Sequence, residues 1–330
     1  MSDHKNGRGF AARTVDIEKL RERHEQLQKD LESSLKSNDT EDRVDTILYG
    51  PFSMALAHFF IKHGISANKI TLLSLLFGII GSFFFYPQNV GLNLLGILIE
   101  YFAVVLDCTD GPVARLTNSS SQMGRFLDGA VDITNFAAIY IVIAFRMTKE
   151  TIPFTNTNWS WWIFPVLIVC GYCHGQHARM ADYYRSLHLH LLDRKSNGCF
   201  NSSEQIKKEL SESKDAPFYN KLYLRVYYSY TRAQEKMSPN VVRLLKAIEA
   251  DDSEISEYAA EAYLAESRKY VQLTNVLTYN LRAYALDILV LLKLHAWFVP
   301  FNIIVLGGIM FYMIFKYEKI AGDIYGEYFG

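Results

Sequence analysis

Four aspartates lie close together between two apolar stretches of the chain. Asp107 and Asp110 are three residues apart, and Asp128 and Asp132 are four residues apart. Because residues at these spacings share a helix face, a helical hairpin would bring the two pairs together. Converging carboxylates beside hydrocarbon are costly unless a cation neutralises them. Oxygen-only ligands favour Mg²⁺ or Mn²⁺, and a site with two such ions suits phosphoryl chemistry.

Small residues and one arginine lie between these aspartates. Gly111, Gly124 and Gly129 leave room where a ligand or a facing helix must approach closely. Ala114 is small for the same reason, and Arg115 offers a planar set of donors that suits a phosphate. The stretch therefore predicts a metal-assisted site for a phosphate-bearing ligand.

The spacing of these residues resembles the signature of the CDP-alcohol phosphotransferase family, D-x2-D-G-x2-A-R-x8-G-x3-D-x3-D. Every fixed position is filled, and the resemblance covers about residues 65–185. It implies a six-helix membrane enzyme, usually a homodimer. Such enzymes transfer a substituted phosphate from a CDP-linked donor to a hydroxyl acceptor and release CMP.

The resemblance also implies a role for each matched residue. Asp107, Asp110 and Asp128 would bind the metal ions. Asp132 would complete the second metal site and act as the general base on the acceptor hydroxyl. The cytidine diphosphate would contact Gly111, Ala114, Arg115 and Gly124, with Ser121 near the phosphates.

A second, weaker resemblance lies at the start of the first apolar run. The stretch Ser66–Thr71 is similar to the family's P-N-x-x-T entry to its first helix, with Ala67 in place of the proline. Only Asn68 and Thr71 are therefore carried over as nucleotide-site residues.

Half of the residues are hydrophobic, and the charged residues cluster at the N-terminus and after residue 182. Apolar runs near the length of a bilayer predict an all-α integral membrane protein with about six transmembrane helices. An amphipathic segment at Asp45–His63 precedes them and is expected to lie in the membrane interface. The six runs are Ile70–Tyr86, Gly91–Leu106, Phe126–Phe145, Trp161–Gly171 with its flanks, Leu286–Leu294 with its upstream helix, and Trp297–Phe315.

The charge pattern divides the chain into four parts. Residues 1–44 form an N-terminal tail with a charged helix at Asp16–Leu35, and residues 45–185 hold the interfacial helix and the first four spans. Residues 186–270 form a polar helical insertion, and residues 271–330 hold the last two spans and the C-terminal tail. The insertion shows helical patterns at Tyr219–Lys236, Val241–Ala250 and Glu254–Lys269.

Basic residues predict the orientation in the membrane. They are abundant before Lys69 and in the insertion, and scarce in the alternate loops. By the positive-inside rule, both termini, the insertion and the aspartate stretch face the cytoplasm.

The net charge of −1 gives no reason to expect a nucleic-acid partner. Cys108, Cys170, Cys173 and Cys199 show no paired zinc spacing and are expected to be free thiols.

The motif specifies the donor chemistry and leaves the acceptor open. Arg179, Arg185 and Arg282 lie in or near the fourth and fifth spans, where a basic side chain needs an anion. They would line a pocket for inositol phosphate or glycerol phosphate, or else pair with Asp182 and Asp287 or reach lipid headgroups. We therefore favour CDP-diacylglycerol as donor with a phosphorylated polyol as acceptor. The alternative within the family is a CDP-choline or CDP-ethanolamine donor with diacylglycerol as acceptor.

Two other classes explain the motif less well. Membrane prenyltransferases use two well-separated aspartate motifs, whereas all four aspartates here lie within one short stretch. A cation carrier would place aspartates along its path, but Arg115 would repel a passing cation. An inactive scaffold is also disfavoured, because no expected ligand residue is missing.

Overall fold

The computed structural model describes Thr40 and residues 45–192, 200–213, 217–250 and 254–330. Within these ranges the chain is helical and has no strand beyond an isolated bridge between Thr151 and Asn158. The all-α class predicted from the sequence is therefore confirmed. The helix predicted at Asp16–Leu35 lies outside the described residues.

Four helices form the N-terminal half of the described fold. A π-helical turn at Asp45–Tyr49 leads into the first of them. The helix predicted within Asp45–His63 is thus confirmed, whereas its position in the membrane interface stays a prediction. The helices are α1 (Gly50–Lys62), α2 (Ala67–Phe83), α3 (Val90–Leu116) and α4 (Gln122–Met147).

Helices α2 and α3 approach each other closely at a pair of glycines. A Cβ atom added to Gly96 would lie 3.0 Å from the carbonyl oxygen of Gly81 and 2.9 Å from Cβ of Phe84. Glycine at such a contact lets two helix backbones meet. Because the two helices are antiparallel, this contact also brings the start of α2 beside the end of α3, where the aspartates begin.

Seven helices follow in the rest of the described chain. The last of them, α11, is continuous with an irregular helical stretch over residues 295–306, made of 3₁₀, α and π turns. Pro300 lies within this stretch and has no backbone N–H to donate, which interrupts the regular α-helical hydrogen bonding. The helices are α5 (Ile163–Leu192), α6 (Ser203–Glu212), α7 (Phe218–Met237), α8 (Pro239–Ala250), α9 (Glu254–Val276), α10 (Tyr279–Leu291) and α11 (Gly307–Tyr328).

The helices of the predicted insertion pack against α5 and α11 instead of standing apart from them. Tyr184 of α5 stacks on Tyr317 of α11 with 4.0 Å between ring centroids, and its hydroxyl lies 2.7 Å from that of Ser238. Tyr263 of α9 and Leu244 of α8 are buried in the same core. The three predicted helices of the insertion are confirmed as α7, α8 and α9.

Helix α6 was not predicted, and α5 and α9 run through residues 185–186 and 270–271. The division of the chain into four parts stays a prediction. Two of its boundaries, after residues 185 and 270, lie inside the continuous helices α5 and α9.

Three helices of the described chain are long and apolar enough to cross a bilayer: Val90–Leu116, Leu127–Met147 and His295–Tyr328. Ile47–Lys62 and Ala67–Phe83 are shorter apolar helices. This composition is that of an integral membrane protein. The count of six spans and the cytoplasmic orientation stay predictions.

A buried polar network fastens the far end of α4, away from the aspartates. Arg146 is 3% exposed, and its Nη1 donates to the carbonyl of Phe85 at 2.7 Å and to Oδ1 of Asn93 at 3.2 Å. Its Nε lies 3.7 Å from Glu150, which also bonds Nε2 of His295. The network joins the α2–α3 turn, α3, α4 and the start of the last helical stretch.

Candidate metal and nucleotide site

Three of the four aspartates converge in the structure. Asp107 and Asp110 of α3 and Asp128 of α4 each offer one carboxylate oxygen, and these oxygens all lie within 4.8 Å of one another. Asp110 is buried, and the other two are half-buried. Three oxygen ligands at this spacing fit a hard divalent cation. Asp132 lies one turn further along α4 and is not part of this trio.

The turn between α3 and α4 has the sequence chemistry that a helical hairpin needs. Asn118 adopts a left-handed conformation with φ of 53°, which asparagine tolerates at the end of a helix. The N–H of Ser119 then donates to the carbonyl of Ala114 at 2.8 Å. Ser121 caps α4 by accepting from the N–H of Gly124 at 3.0 Å. The chain thus reverses within a few residues, as the hairpin prediction requires.

Helix α2 contributes a hydroxyl to the carboxylate cluster. Thr71 is buried, and its Oγ1 donates to Oδ2 of Asp110 and lies 3.1 Å from the carbonyl of Ala67. A donor to one carboxylate oxygen orients the group and leaves its other oxygen for a ligand. The sequence predicted Thr71 as a nucleotide-site residue but did not predict this contact. Its role toward a nucleotide stays a prediction.

The other predicted nucleotide-site residues surround the hairpin. A Cβ atom on Gly124 would lie 3.2 Å from Oγ of Ser121 and 3.5 Å from Oδ1 of Asn68, so α2 approaches the start of α4 here. A Cβ atom on Gly111 would lie 3.2 Å from Nη1 of Arg115, whose guanidinium therefore folds back over that glycine.

Arg115 is exposed, Ala114 is half-buried, and Gly129 faces open space. The structure brings these small residues and Arg115 to the same end of α3 and α4 as the carboxylates. Their contacts with cytidine diphosphate stay predictions.

The three arginines considered for the acceptor have different surroundings. Arg282 is fully buried, and it bonds Oδ1 of Asn302 at 3.0 Å, Nδ1 of His177 at 3.2 Å and two carbonyls at the end of α9. Its donors are thus largely used within the fold. Arg179 bonds Gln176 and lies over the ring of Tyr230.

Arg185 bonds Asn275. The Nε atoms of Arg179 and Arg185 are buried and have no hydrogen bond with any residue that the structure describes. Within the described residues, Arg282 forms no ion pair with Asp287, and a pairing of Arg179 or Arg185 with Asp182 stays a prediction.

The cysteines and histidines of α5 do not form a metal cluster within the described residues. His174 bonds the hydroxyl of Tyr140 at 3.1 Å, and His177 bonds Arg282. Cys108, Cys170 and Cys173 are not in disulfide bonds, and Cys199 lies outside the described residues.

Comparison with known proteins places the same segment in a family. Residues 65–182 match the family model described as CDP-alcohol phosphatidyltransferase. An archaetidylinositol phosphate synthase of Pyrococcus horikoshii is 36% identical over 81 residues, which are 24% of this chain and 42% of that protein. A phosphatidylinositol phosphate synthase of Streptomyces avermitilis is 34% identical over 84 residues, 26% of this chain and 34% of that protein.

An uncharacterized protein of Aquifex aeolicus is 39% identical over 77 residues, 23% of this chain and 38% of that protein. The matches thus span about two fifths or less of the length of these relatives. Each of the three matched stretches is shorter than the segment 65–182 that the family model covers. Together with the aspartate motif and its geometry, they confirm the resemblance: residues 65–182 form a CDP-alcohol phosphatidyltransferase domain.

Proposed function

We propose that this protein transfers a phosphatidyl group from CDP-diacylglycerol to the hydroxyl of a phosphorylated polyol and releases CMP. The observation that carries the proposal is the cluster of Asp107, Asp110 and Asp128, whose oxygens lie within 4.8 Å of one another inside the family segment. Two of the relatives are named archaetidylinositol phosphate synthase and phosphatidylinositol phosphate synthase, which favours an inositol phosphate acceptor over glycerol phosphate.

The reaction needs a site that holds a diphosphate and removes a proton from the acceptor. Divalent cations bound by the aspartates, two of them in our proposal, would supply positive charge beside the phosphates. Arg115 donates to the phosphate of the departing CMP, and the small residues Gly111 and Gly124 let the nucleotide approach the helix backbones. Asp132, one turn from the cluster, accepts the proton of the attacking hydroxyl as general base. Direct attack of the acceptor oxygen on the lipid-linked phosphorus requires no covalent enzyme intermediate.

Two arginines support a phosphorylated acceptor. Arg179 and Arg185 are half-buried, and each keeps an Nε–H that has no hydrogen bond among the described residues. Buried donors of this kind are stabilised by an anion. Arg282 is less suited to bind the acceptor, because its guanidinium already bonds Asn302, His177 and backbone carbonyls. It instead holds the end of α9 against α5 and the last helical stretch.

The membrane arrangement belongs to the same proposal. We propose a multi-pass protein with about six spans, in which the site and both termini face the cytoplasm and two copies form a homodimer. The donor lipid would then reach the aspartates from the cytoplasmic leaflet, where water-soluble acceptors are also available.

The experiment measures CMP release from the purified full chain in lipid nanodiscs. CDP-diacylglycerol is supplied with inositol phosphate, glycerol phosphate or unphosphorylated inositol, each with Mg²⁺, with Mn²⁺ or with EDTA. CDP-choline and CDP-ethanolamine with diacylglycerol form the second set. We expect metal-dependent CMP release with CDP-diacylglycerol and a phosphorylated polyol.

Two matched variants accompany the panel. Asp132→Asn removes the general base and is expected to lower the rate by about 10²- to 10⁴-fold. Asp323→Asn makes the same chemical change at an exposed position of α11 and is expected to leave the rate unchanged. Release with CDP-choline or CDP-ethanolamine alone would replace the proposed substrates by the alternative pair. No release from any pair would refute the proposed activity.

A further inference from the structure

A second group of acidic residues lies inside the helix bundle, away from the aspartate motif. Glu100 of α3 and Asp287 of α10 line one cavity of about 100 Å³. Glu100 is seven residues before Asp107 on the same helix, a distance of about 10 Å along the axis. The family motif does not include either residue. An ionisable side chain within a membrane bundle is costly and therefore points to a function.

Both carboxylates lack a partner within the described part of the chain. Glu100 is 6% exposed, and its Oε1 is buried without a hydrogen bond. Neither Glu100 nor Asp287 forms a hydrogen bond or an ion pair there, and both line the same cavity. A buried, unpaired carboxylate costs several kcal/mol unless a proton or a cation compensates it.

The remaining walls of the cavity suit a cation. Aromatic rings, the hydroxyl groups of four tyrosines and five aliphatic side chains complete the lining, and no basic side chain of the described residues lines the space. Aromatic faces attract cations, and phenolic oxygens can accept a hydrogen bond from an ammonium group or coordinate an ion. The hydroxyls of Tyr49 and Tyr284 already meet at 2.5 Å, which fixes both rings at the wall. The aromatic residues of the cavity are Tyr49, Phe85, Tyr101, Phe136, Tyr279 and Tyr284.

We propose that this cavity binds a small, singly charged cation between Glu100 and Asp287. The volume equals that of about three water molecules, which admits a partly hydrated alkali ion or a primary ammonium group. The site is separate from the aspartate cluster, since its ligands come from α3 and α10 and not from the α3–α4 hairpin. Bound cation would tie α10 to α3 beside the catalytic region.

The test uses the full chain in nanodiscs with EDTA present, so that divalent ions do not contribute. Thermal unfolding is followed in NaCl, KCl, methylammonium chloride and N-methyl-D-glucamine chloride at equal ionic strength. The last cation is too large for the cavity and sets the baseline. We expect at least one small cation to raise the unfolding temperature with a saturating dependence on concentration. The alkali and methylammonium arms distinguish the two kinds of occupant.

Variants then locate the effect. Glu100→Gln and, separately, Asp287→Asn are expected to weaken the apparent cation affinity at least tenfold. Glu327→Gln, at an exposed site on α11, and Asp107→Asn, in the other cluster, are expected to keep the wild-type response. Binding of ²²Na⁺ to wild-type protein, competed by methylammonium, gives a readout that is independent of unfolding.

Two results would overturn the proposal. The first is identical unfolding of wild-type protein in all four salts with no ²²Na⁺ binding, which would mean that the carboxylates are compensated by a shared proton. The second is a cation response that Asp107→Asn abolishes, which would assign the effect to the aspartate cluster. Because the wild-type series decides whether a cation binds, the proposal stays testable even if Glu100→Gln fails to fold.

Discussion

The contact between Thr71 and Asp110 gives a sharp test of the candidate metal site. Thr71→Val keeps the shape of the side chain and removes the hydroxyl that donates to Oδ2 of Asp110. Without that donor, Asp110 is still buried but is no longer oriented toward Asp107 and Asp128. Metal affinity should therefore fall, while the three ligand residues themselves are unchanged.

The magnitude follows from the kind of interaction that is lost. A hydrogen bond to a charged group contributes about 1.5–3 kcal/mol. Loss of a residue that orients a metal ligand typically weakens metal affinity by about 10- to 100-fold, which corresponds to about 1.4–2.7 kcal/mol. We expect the Mg²⁺ concentration for half-maximal CMP release to rise by this factor. The rate at saturating Mg²⁺ should fall much less, because the ligands are all present.

The assay is a Mg²⁺ titration of CMP release, with Mn²⁺ binding followed by electron paramagnetic resonance as a readout without substrate. Thr71→Ser keeps the hydroxyl and should restore most of the affinity. Thr109→Val is the matched control, because Thr109 is also buried and its hydroxyl bonds the carbonyl of Val105 on its own helix. A wild-type Mg²⁺ titration in Thr71→Val, or an equal loss in Thr109→Val, would refute the assigned contact.

Three other predictions concern the metal, the polar network and the helix contact. EDTA should abolish CMP release until Mg²⁺ is restored, and Asp128→Asn should lose most of the activity even at high Mg²⁺; activity in EDTA would contradict the metal assignment. Arg146→Met should lower the free energy of unfolding by about 3 kcal/mol, because Asn93 and Glu150 lose a buried partner. Thermal unfolding measures this change, and Lys149→Met, at an exposed position, is the control. Gly96→Ala should lower the unfolding temperature by several degrees. Gly175→Ala should be neutral or stabilising, because a Cβ atom added there meets nothing within 4 Å. Equal effects of the two substitutions would refute the close contact of α2 and α3.

The sequence predicted the parts of the fold that depend on local patterns. Helices α7, α8 and α9 follow from periodic apolar residues and from the break at Pro239. The α3–α4 hairpin follows from the spacing of the aspartates and from the turn residues between them. Helix α6 was missed because it is short and polar, although its capping box at Ser202 and Gln205 is a readable signal.

Contacts between distant residues could not be predicted in this way. Arg146 meets Phe85 and Asn93 across 61 and 53 residues, and no spacing in the chain marks that partnership. Arg282 was expected to meet a phosphate or Asp287, but its hydrogen bonds are with Asn302, His177 and two backbone carbonyls. The carbonyls of Leu277 and Thr278, just after α9, accept from its guanidinium at 3.3 Å, whereas Asn302 and His177 come from the last helical stretch and from α5. Neutral acceptors thus take up donors that the sequence assigned to a carboxylate or a ligand.

The aspartate cluster connects the stability of the fold to its proposed chemistry. Asp110 is buried, and one of its carboxylate oxygens lies within 4.8 Å of a carboxylate oxygen of Asp107 and of Asp128. The helices therefore hold three acidic groups closer together than their mutual repulsion favours. The hairpin turn and the Thr71 contact keep them there, which means that the fold and not the ligand pre-forms the site. A cation that binds the folded chain relieves this repulsion and stabilises the folded state as it does so. Since the unfolded chain keeps the same carboxylates far apart, Mg²⁺ should raise the unfolding temperature of wild-type protein and raise it less in Asp107→Asn.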